Sequence, residues 1–236
     1  MITEIIFRLL DAVPSYISAL IVVIPFICLS IGIAKQHDIK IRGLHVFGEL
    51  LFSFILILIL SITGIPQINT WHLEIAESQI NTVPFFAFES RTFLNIANVL
   101  LFVPFGFFLP LLWCKYNNIF KTVFFGFSLS LFVEVSQLFN HRVSDIDDLI
   151  MNTLGTLFGY LLFMLIKLCI LCIHKKTYNK SSYDLPYFLK HEGFLLIIIT
   201  ILSYIFIDPY ISPYIYDILF QNIKNPNTQV VRTYHN

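Results

Sequence analysis

Charged residues are scarce in this sequence, and so are the motifs of common enzymes. Asp, Glu, Lys and Arg make up 13% of 236 residues, about half the share of a soluble globular domain. The formal net charge of +0 gives no basis for nucleic-acid binding. There is no nucleophile elbow, no HExxH and no P-loop, which argues against enzymes of those classes.

Cysteine is also sparse. The four cysteines lie in or beside apolar runs, and the single CxxC, formed by Cys169 and Cys172, has no second pair and no suitably spaced histidine. We therefore interpret these cysteines as small apolar residues of helices rather than as a metal or redox site. The prediction is that the protein holds neither a metal nor another cofactor.

Long apolar runs dominate what remains. The sequence is 57% hydrophobic, with a mean hydropathy of +0.78. Runs of this length and apolarity predict an all-α, polytopic membrane protein with about six transmembrane helices, or five if the last run does not span. The predicted spans are 16–34, 44–65, 93–113, 119–140, 149–173 and 187–207.

Two units are expected along the chain. Residues 1–174 form a transmembrane domain with its motif region at 80–162, and residues 175–236 contain a basic linker, the last span and a tail. Residues 1–13 have the pattern of a separate amphipathic helix at the membrane interface. Asp208-Pro209 is expected to end the last span, and His45 and Glu49 are expected to reach lipid headgroups.

Basic residues predict the orientation. Under six spans, one side of the membrane receives ten of the 15 Lys and Arg residues. By the positive-inside rule that side is cytoplasmic. The loop 66–92 and the polar turn 140–148 then face outward.

The polar stretch 131–160 is the most informative part of the chain. Glu134 and Gln137 lie three residues apart inside an apolar run, so they share a helix face. A polar turn follows, with Arg142, Asp145, Asp147 and Asp148. One helical stripe then carries polar and small residues, namely Asp148, Asn152, Gly155 and Gly159.

Several features in order resemble the VanZ-like family, named for a teicoplanin-resistance protein. The features are Asn98, Pro104-Phe105-Gly106, Glu134-x-x-Gln137, Arg142-x-x-Asp145-x-x-Asp148 and Asn152-x-x-Gly155-x-x-x-Gly159. The resemblance implies a multi-pass bacterial plasma-membrane protein linked to glycopeptide resistance. It supplies no mechanism.

These residues predict an outward polar pocket formed by Asn98, Glu134, Gln137, Arg142, Asp145, Asp148 and Asn152. Within it, Glu134 is expected to pair with Arg142, to accept hydrogen bonds from Gln137 or Asn98, or to be protonated. Asp147 is expected to be solvated. A kinked, closely packed helix is predicted at Pro104 and Gly106, with Gly155 and Gly159 as a helix-packing motif.

Three functions remain open from the sequence. The favoured one is a non-catalytic protein that binds an envelope lipid, a lipid-linked cell-wall component or a lipoglycopeptide. The second is a membrane-embedded enzyme that acts on a lipid-linked phosphate, with carboxylates as acid and base or as Mg²⁺ ligands at Asp145 and Asp148. The third is a proton-coupled carrier that uses Glu134.

Overall fold

The computed structural model describes residues 2–71, 80–81, 83–84, 88–140, 144–173 and 186–224. Nearly all of these residues are helical. The main helices are α1 (Ile2–Gln36), α2 (Gly43–Thr63), α3 (Phe88–Leu112), α4 (Ile119–Gln137), α5 (Ile146–Ile173), α6 (Tyr187–Lys190), α7 (Glu192–Leu202) and α8 (Asp208–Lys224). Short 3₁₀ segments cover Ile68–Thr70, Cys114–Tyr116 and Leu138–Asn140, and a π-helical turn covers Ser203–Ile207.

Within the described ranges, six helices are long and apolar enough to cross a membrane. They are Leu10–Gln36, Gly43–Thr70, Thr92–Leu112, Ile119–Asn140, Ile146–Cys169 and Glu192–Phe220. The predicted all-α membrane fold with six spans is therefore confirmed. The boundary expected at residue 174 and the linker 175–185 lie outside the described residues.

Local chemistry sets several helix ends. The C-cap of α2 is Gly64, which has a φ of 69° and a left-handed conformation, a position that favours glycine. Its backbone N–H donates to the carbonyl oxygens of Leu60 and Ser61. At the start of α4, the Asn118 side chain accepts hydrogen bonds from two backbone N–H groups, as a good N-cap residue does.

The N-terminal prediction was wrong about the helix boundary. Residues 2–36 form one continuous helix, and Pro14 lies inside it rather than at the start of a span. Proline inside a helix removes one backbone hydrogen bond. On the same helix, Ala19, Val23 and Phe26 are buried in the protein core, so tertiary packing offsets that loss.

The last span does not end at Asp208-Pro209. A π-helical turn leads directly into α8, which begins at Asp208 and continues through Pro209. The wider hydrogen-bond spacing of a π turn accommodates the missing N–H of a proline. Asp208 is 1% exposed, and its carboxylate accepts hydrogen bonds from Ser15 (3.0 Å), Ser18 (2.5 Å) and Gln67. These hydrogen bonds connect the start of α8 to α1 and to the segment after α2.

One core joins the first three spans to the last. Val23 of α1, Phe52 of α2, Phe105 of α3 and Leu196 of α7 are buried in the same apolar cluster. Helix α5 packs mainly against α3 and α4. The helix ends near residues 64, 138 and 145 therefore meet at one end of the bundle, while residues 45, 113 and 192 meet at the other.

Candidate functional site

The polar turn before α5 is bound to a distant loop. Strand β1 (Ile80–Asn81) pairs in parallel with β2 (Ser144–Asp145), with Ile80 opposite Ser144 and Asn81 opposite Asp145. The Asn81 amide also donates to Asp145 Oδ2 over 3.3 Å. This two-residue strand pair was not predicted, and it places Ile80 and Asn81 beside the turn.

Glu134 reaches from α4 into this turn. Its Oε2 accepts a hydrogen bond from the Ser144 hydroxyl at 3.1 Å and another from the Asp145 backbone N–H at 2.9 Å. Glu134 is 4% exposed. Its carboxylate thus holds the turn against the end of α4, and a buried carboxylate requires such donors.

Asp145 caps helix α5. It is 2% exposed, and its Oδ1 accepts a hydrogen bond from the Asp147 backbone N–H at 3.0 Å, which is the geometry of an N-cap. Asp147 and Asp148 occupy the first turn, where negative charge interacts favourably with the helix dipole. The expectation that Asp147 is solvated was wrong, because its side chain is 2% exposed.

Asn98 connects α3 to the same turn. Its amide donates to Asp148 Oδ1 over 2.8 Å, and both residues are half-buried. We call the group that meets around the turn the hinge cluster. It consists of Asn81, Asn98, Glu134, Ser144, Asp145, Asp147 and Asp148.

Two predicted site residues bond elsewhere. The Gln137 amide donates to the Thr63 carbonyl at the end of α2 over 2.8 Å, and the Asn152 amide donates to the Ser130 hydroxyl over 2.9 Å. Neither Gln137 nor Asn98 supplies the hydrogen bonds that Glu134 accepts, so that part of the prediction was wrong. Arg142 lies outside the described residues, and its pairing with Glu134 stays a prediction.

Some buried amide atoms near these residues lack partners. Asn95 is 2% exposed and Asn152 is 1% exposed. Both amide atoms of Asn95 and the Oδ1 of Asn152 accept or donate no hydrogen bond within the described part of the chain. Buried polar groups are normally satisfied, so these atoms are free to bind water or a ligand.

Glycines bring α3 and α5 into backbone contact beneath the hinge cluster. A Cβ on Gly155 would meet the Val99 carbonyl oxygen, and one on Gly159 would meet the Val103 carbonyl oxygen. From the other side, a Cβ on Gly106 would meet the Thr156 carbonyl oxygen. Pro104 lies inside α3, directly after Val103. Small residues permit such close approach of membrane helices.

An open groove lies on another face. It has a volume of about 420 Å³ and lies between α4 and α5, with mainly apolar lining from residues such as Phe120, Phe124, Phe127 and Leu157. Phe120 and Phe124 are 81% and 64% exposed. This groove belongs to the apolar surface of the bundle and includes no residue of the hinge cluster.

The sequence pattern did not predict that Asn81 and Ser144 belong to the hinge cluster. Asn81 lies 64 residues from Asp145, in a loop without periodicity.

The described residues contain one group of three side chains whose ligand atoms are close enough to bind a metal ion, His45, Glu49 and Glu192. It lies at the other end of the bundle from the hinge cluster.

One protein-family model matches the part of the chain that contains the hinge cluster. Residues 51–167 match the VanZ/LLP1 family model. No curated protein and no solved structure matches the chain. The matched range contains every residue of the hinge cluster and the three glycines of the α3–α5 contact, Gly106, Gly155 and Gly159. Together with six helices able to cross a membrane, this match shows that the chain is a multi-pass membrane protein of the VanZ-like family.

Proposed function

We propose that this protein lies in a bacterial plasma membrane and lowers susceptibility to teicoplanin-type glycopeptides. It does so by binding an envelope lipid or a lipid-linked cell-wall component at the hinge cluster. One observation carries this proposal, which is the concentration of buried carboxylates and amides at one end of an otherwise apolar bundle. Glu134, Asp145 and Asp147 are 4%, 2% and 2% exposed, and ionisable groups inside a membrane protein commonly mark a functional site.

The chemistry of the cluster fits the polar head of such a lipid. Carboxylate oxygens accept hydrogen bonds from hydroxyl and amide groups, and asparagine amides both donate and accept. The unpaired amide atoms of Asn95 and Asn152 extend this capacity into the bundle. By sequence, Arg142 belongs to the same turn and supplies the positive charge that a lipid phosphate requires.

The positions of the basic residues indicate which end of the bundle faces the cytoplasm. The end of α2 at Gly64 lies near the hinge cluster, because the Asn140 amide approaches the Gly64 carbonyl at 3.5 Å. The other end of α2 follows a basic segment, with Lys35 in the last turn of α1 and Lys40 and Arg42 in the loop. Basic loops remain in the cytoplasm, so the hinge cluster faces the outer surface, where cell-wall precursors and glycopeptides meet.

Cysteine labelling tests this orientation. In a variant without its native cysteines, Asn69→Cys should react with a membrane-impermeant thiol reagent in intact cells, because this exposed residue follows the end of α2 that lies at the hinge-cluster end of the bundle. His37→Cys, exposed in the basic loop, should react only after permeabilisation. The readout is the labelled fraction of each variant, and the reverse pattern would overturn the orientation.

Antibiotic tolerance tests the function. Expression in a susceptible Gram-positive host should raise the inhibitory concentration of teicoplanin several-fold, and that of vancomycin less, because lipid-tailed drugs act at the outer membrane surface. Asn98→Ala should remove most of this gain. The loss of one hydrogen bond to Asp148 changes the free energy of unfolding by only about 1 kcal/mol, so the variant should remain abundant.

Asn117→Ala is the matched control, since Asn117 is exposed at the opposite end of the bundle. It should retain native tolerance, with membrane abundance measured for all variants. Equal protection against both drugs, or none, would contradict the proposed function. Full tolerance in Asn98→Ala at native abundance would contradict the location of the site.

A further inference from the structure

A second polar cluster lies at the other end of α2. His45 Nε2 is 3.5 Å from Glu49 Oε1 and 3.3 Å from Glu192 Oε2. One ligand atom from each of the three residues lies within 4.8 Å of the others. His45 and Thr63 are separated by roughly 27 Å along α2 at 1.5 Å per residue, so this cluster is distinct from the hinge cluster.

The burial of this cluster differs from the sequence prediction. Glu49 was expected to reach lipid headgroups, but it is 1% exposed, and Glu192 is 4% exposed. The His45 side chain is 25% exposed, which leaves an approach to the cluster from one side. Two carboxylates and one histidine are thus gathered in an apolar bundle, where an unbalanced negative charge is unfavourable.

Two carboxylate oxygens of this cluster lack a well-formed hydrogen bond among the described residues. Glu49 Oε1 and Glu192 Oε1 are buried, and neither accepts a hydrogen bond of normal geometry from the described residues, although Glu49 Oε1 lies 3.5 Å from His45 Nε2. The Ser30 hydroxyl, on the neighbouring helix α1, is buried beside the Glu192 carboxylate without a hydrogen bond of normal geometry. Buried carboxylate oxygens are normally satisfied. A cation placed among them would satisfy both carboxylates at once.

His45 Nε2 and Glu192 Oε2 lie within hydrogen-bond distance, and the separations in the cluster also suit the ligands of one metal ion. Charge-assisted hydrogen bonds between nitrogen and carboxylate oxygen are about 2.7–2.9 Å long, shorter than the 3.3 and 3.5 Å observed here. Two ligand atoms at about 2.1 Å from a tetrahedral Zn²⁺ are separated by about 3.4 Å. The two distances from the histidine nitrogen to the glutamate oxygens match that separation, and all three ligand atoms lie within 4.8 Å of one another.

Trp113 orients one of these ligands. Its Nε1–H donates to Glu192 Oε2 over 3.0 Å, and its ring meets the His45 ring edge-on, with centroids 6.0 Å apart. A Cβ on Gly193 would lie 2.6 Å from the Trp113 ring, so glycine is needed for this close packing. Hydrogen bonds of this kind to metal-binding residues fix their orientation and strengthen binding.

We propose that His45, Glu49 and Glu192 bind one divalent transition-metal ion of the Zn²⁺ class, which joins α2 to α7. One imidazole and two carboxylates suit such an ion, and its charge balances the two carboxylates. Three protein ligands leave a fourth position for water or for an anionic group. This site is independent of the proposed function of the hinge cluster.

Direct metal binding is the test. Full-length protein in detergent, with any tag removed and first treated with a chelator, is titrated with Zn²⁺, and bound metal is counted by mass spectrometry. The expected result is one Zn²⁺ per chain and a melting temperature that rises with Zn²⁺. With Co²⁺ as the probe, the native protein should show the visible absorption of a four-coordinate nitrogen and oxygen site.

Variants locate the ion. Glu192→Gln and His45→Gln should each weaken Zn²⁺ binding at least 100-fold, and Trp113→Phe, which keeps the ring but removes the N–H, about 10–100-fold. His37→Gln is the matched control, because His37 is exposed in the loop before α2, and it should bind like the native protein.

Absence of stoichiometric Zn²⁺ or Co²⁺ binding by the native protein would overturn the proposal, whatever the folding of the variants. Unchanged binding in Glu192→Gln and His45→Gln would also overturn it, since the ion would then lie elsewhere. Binding lost in both, with His37→Gln unaffected, would establish the site.

Discussion

Gly159→Leu should abolish accumulation of the folded protein. A Cβ at this position would meet the Val103 carbonyl oxygen and would lie 2.8 Å from the Phe107 backbone nitrogen. These atoms belong to the α3 backbone and cannot rotate away as a side chain does. Relief therefore requires separating α3 from α5, the largest helix pair interface in the described structure. The loss should exceed the roughly 1–3 kcal/mol of ordinary overpacking.

The measurement is membrane abundance and melting temperature in detergent. Gly155→Leu should behave in the same way, because its Cβ would meet the Val99 carbonyl oxygen. Gly32→Leu on α1 is the matched control, since a Cβ there would meet no atom within 4 Å. If Gly159→Leu and Gly32→Leu accumulate equally and melt at the same temperature, α3 and α5 do not pack as described.

Glu134→Leu should destabilise the protein strongly, whereas Glu134→Gln should keep the fold. The leucine variant leaves the Ser144 hydroxyl and the Asp145 N–H without their acceptor. An unsatisfied buried polar group costs about 1–3 kcal/mol, so the two together should lower the free energy of unfolding by about 2–6 kcal/mol. The glutamine side-chain oxygen still accepts both hydrogen bonds, and only the negative charge is lost.

Melting temperature and teicoplanin tolerance separate the structural role of Glu134 from a role in binding. A Glu134→Gln protein that is stable but gives no tolerance would support a charged binding site. Ser136→Ala is the control on the same helix turn, because the Ser136 hydroxyl donates only to the Phe132 carbonyl of its own helix among the described contacts. Equal stability of Glu134→Leu and Ser136→Ala would contradict the structural role.

The predicted ion pair with Arg142 gives a different pattern. If Arg142 pairs with a buried Glu134, Glu134→Gln alone should lower the free energy of unfolding by about 3–5 kcal/mol. The double variant with Arg142→Gln should then regain most of that stability. A Glu134→Gln protein as stable as the native protein would exclude this pair.

The sequence by itself determined the membrane fold and the number of spans, and it placed small and polar residues on one face of α5. Apolar runs about 20 residues long set the spans, because backbone groups in lipid must be satisfied within the helix. Helical spacing placed Asn152, Gly155 and Gly159 on one stripe of α5, and the stripe meets Ser130 of α4 and the backbone of α3. Such signals are local, and local periodicity is visible in one chain.

Only the tertiary structure decided which polar groups meet. Asn81 and Asp145 are 64 residues apart, His45 and Glu192 are 147 apart, and Ser15 and Asp208 are 193 apart. Residue spacing in a single sequence shows only which side chains share a face of one helix. It does not show which residues of separate elements come together in the fold. For the same reason the sequence placed Glu49 at the lipid headgroups and ended a span at Asp208-Pro209. In the structure both carboxylates are buried, with Glu49 grouped with Glu192 of α7 and Asp208 accepting hydrogen bonds from Ser15 and Ser18 of α1.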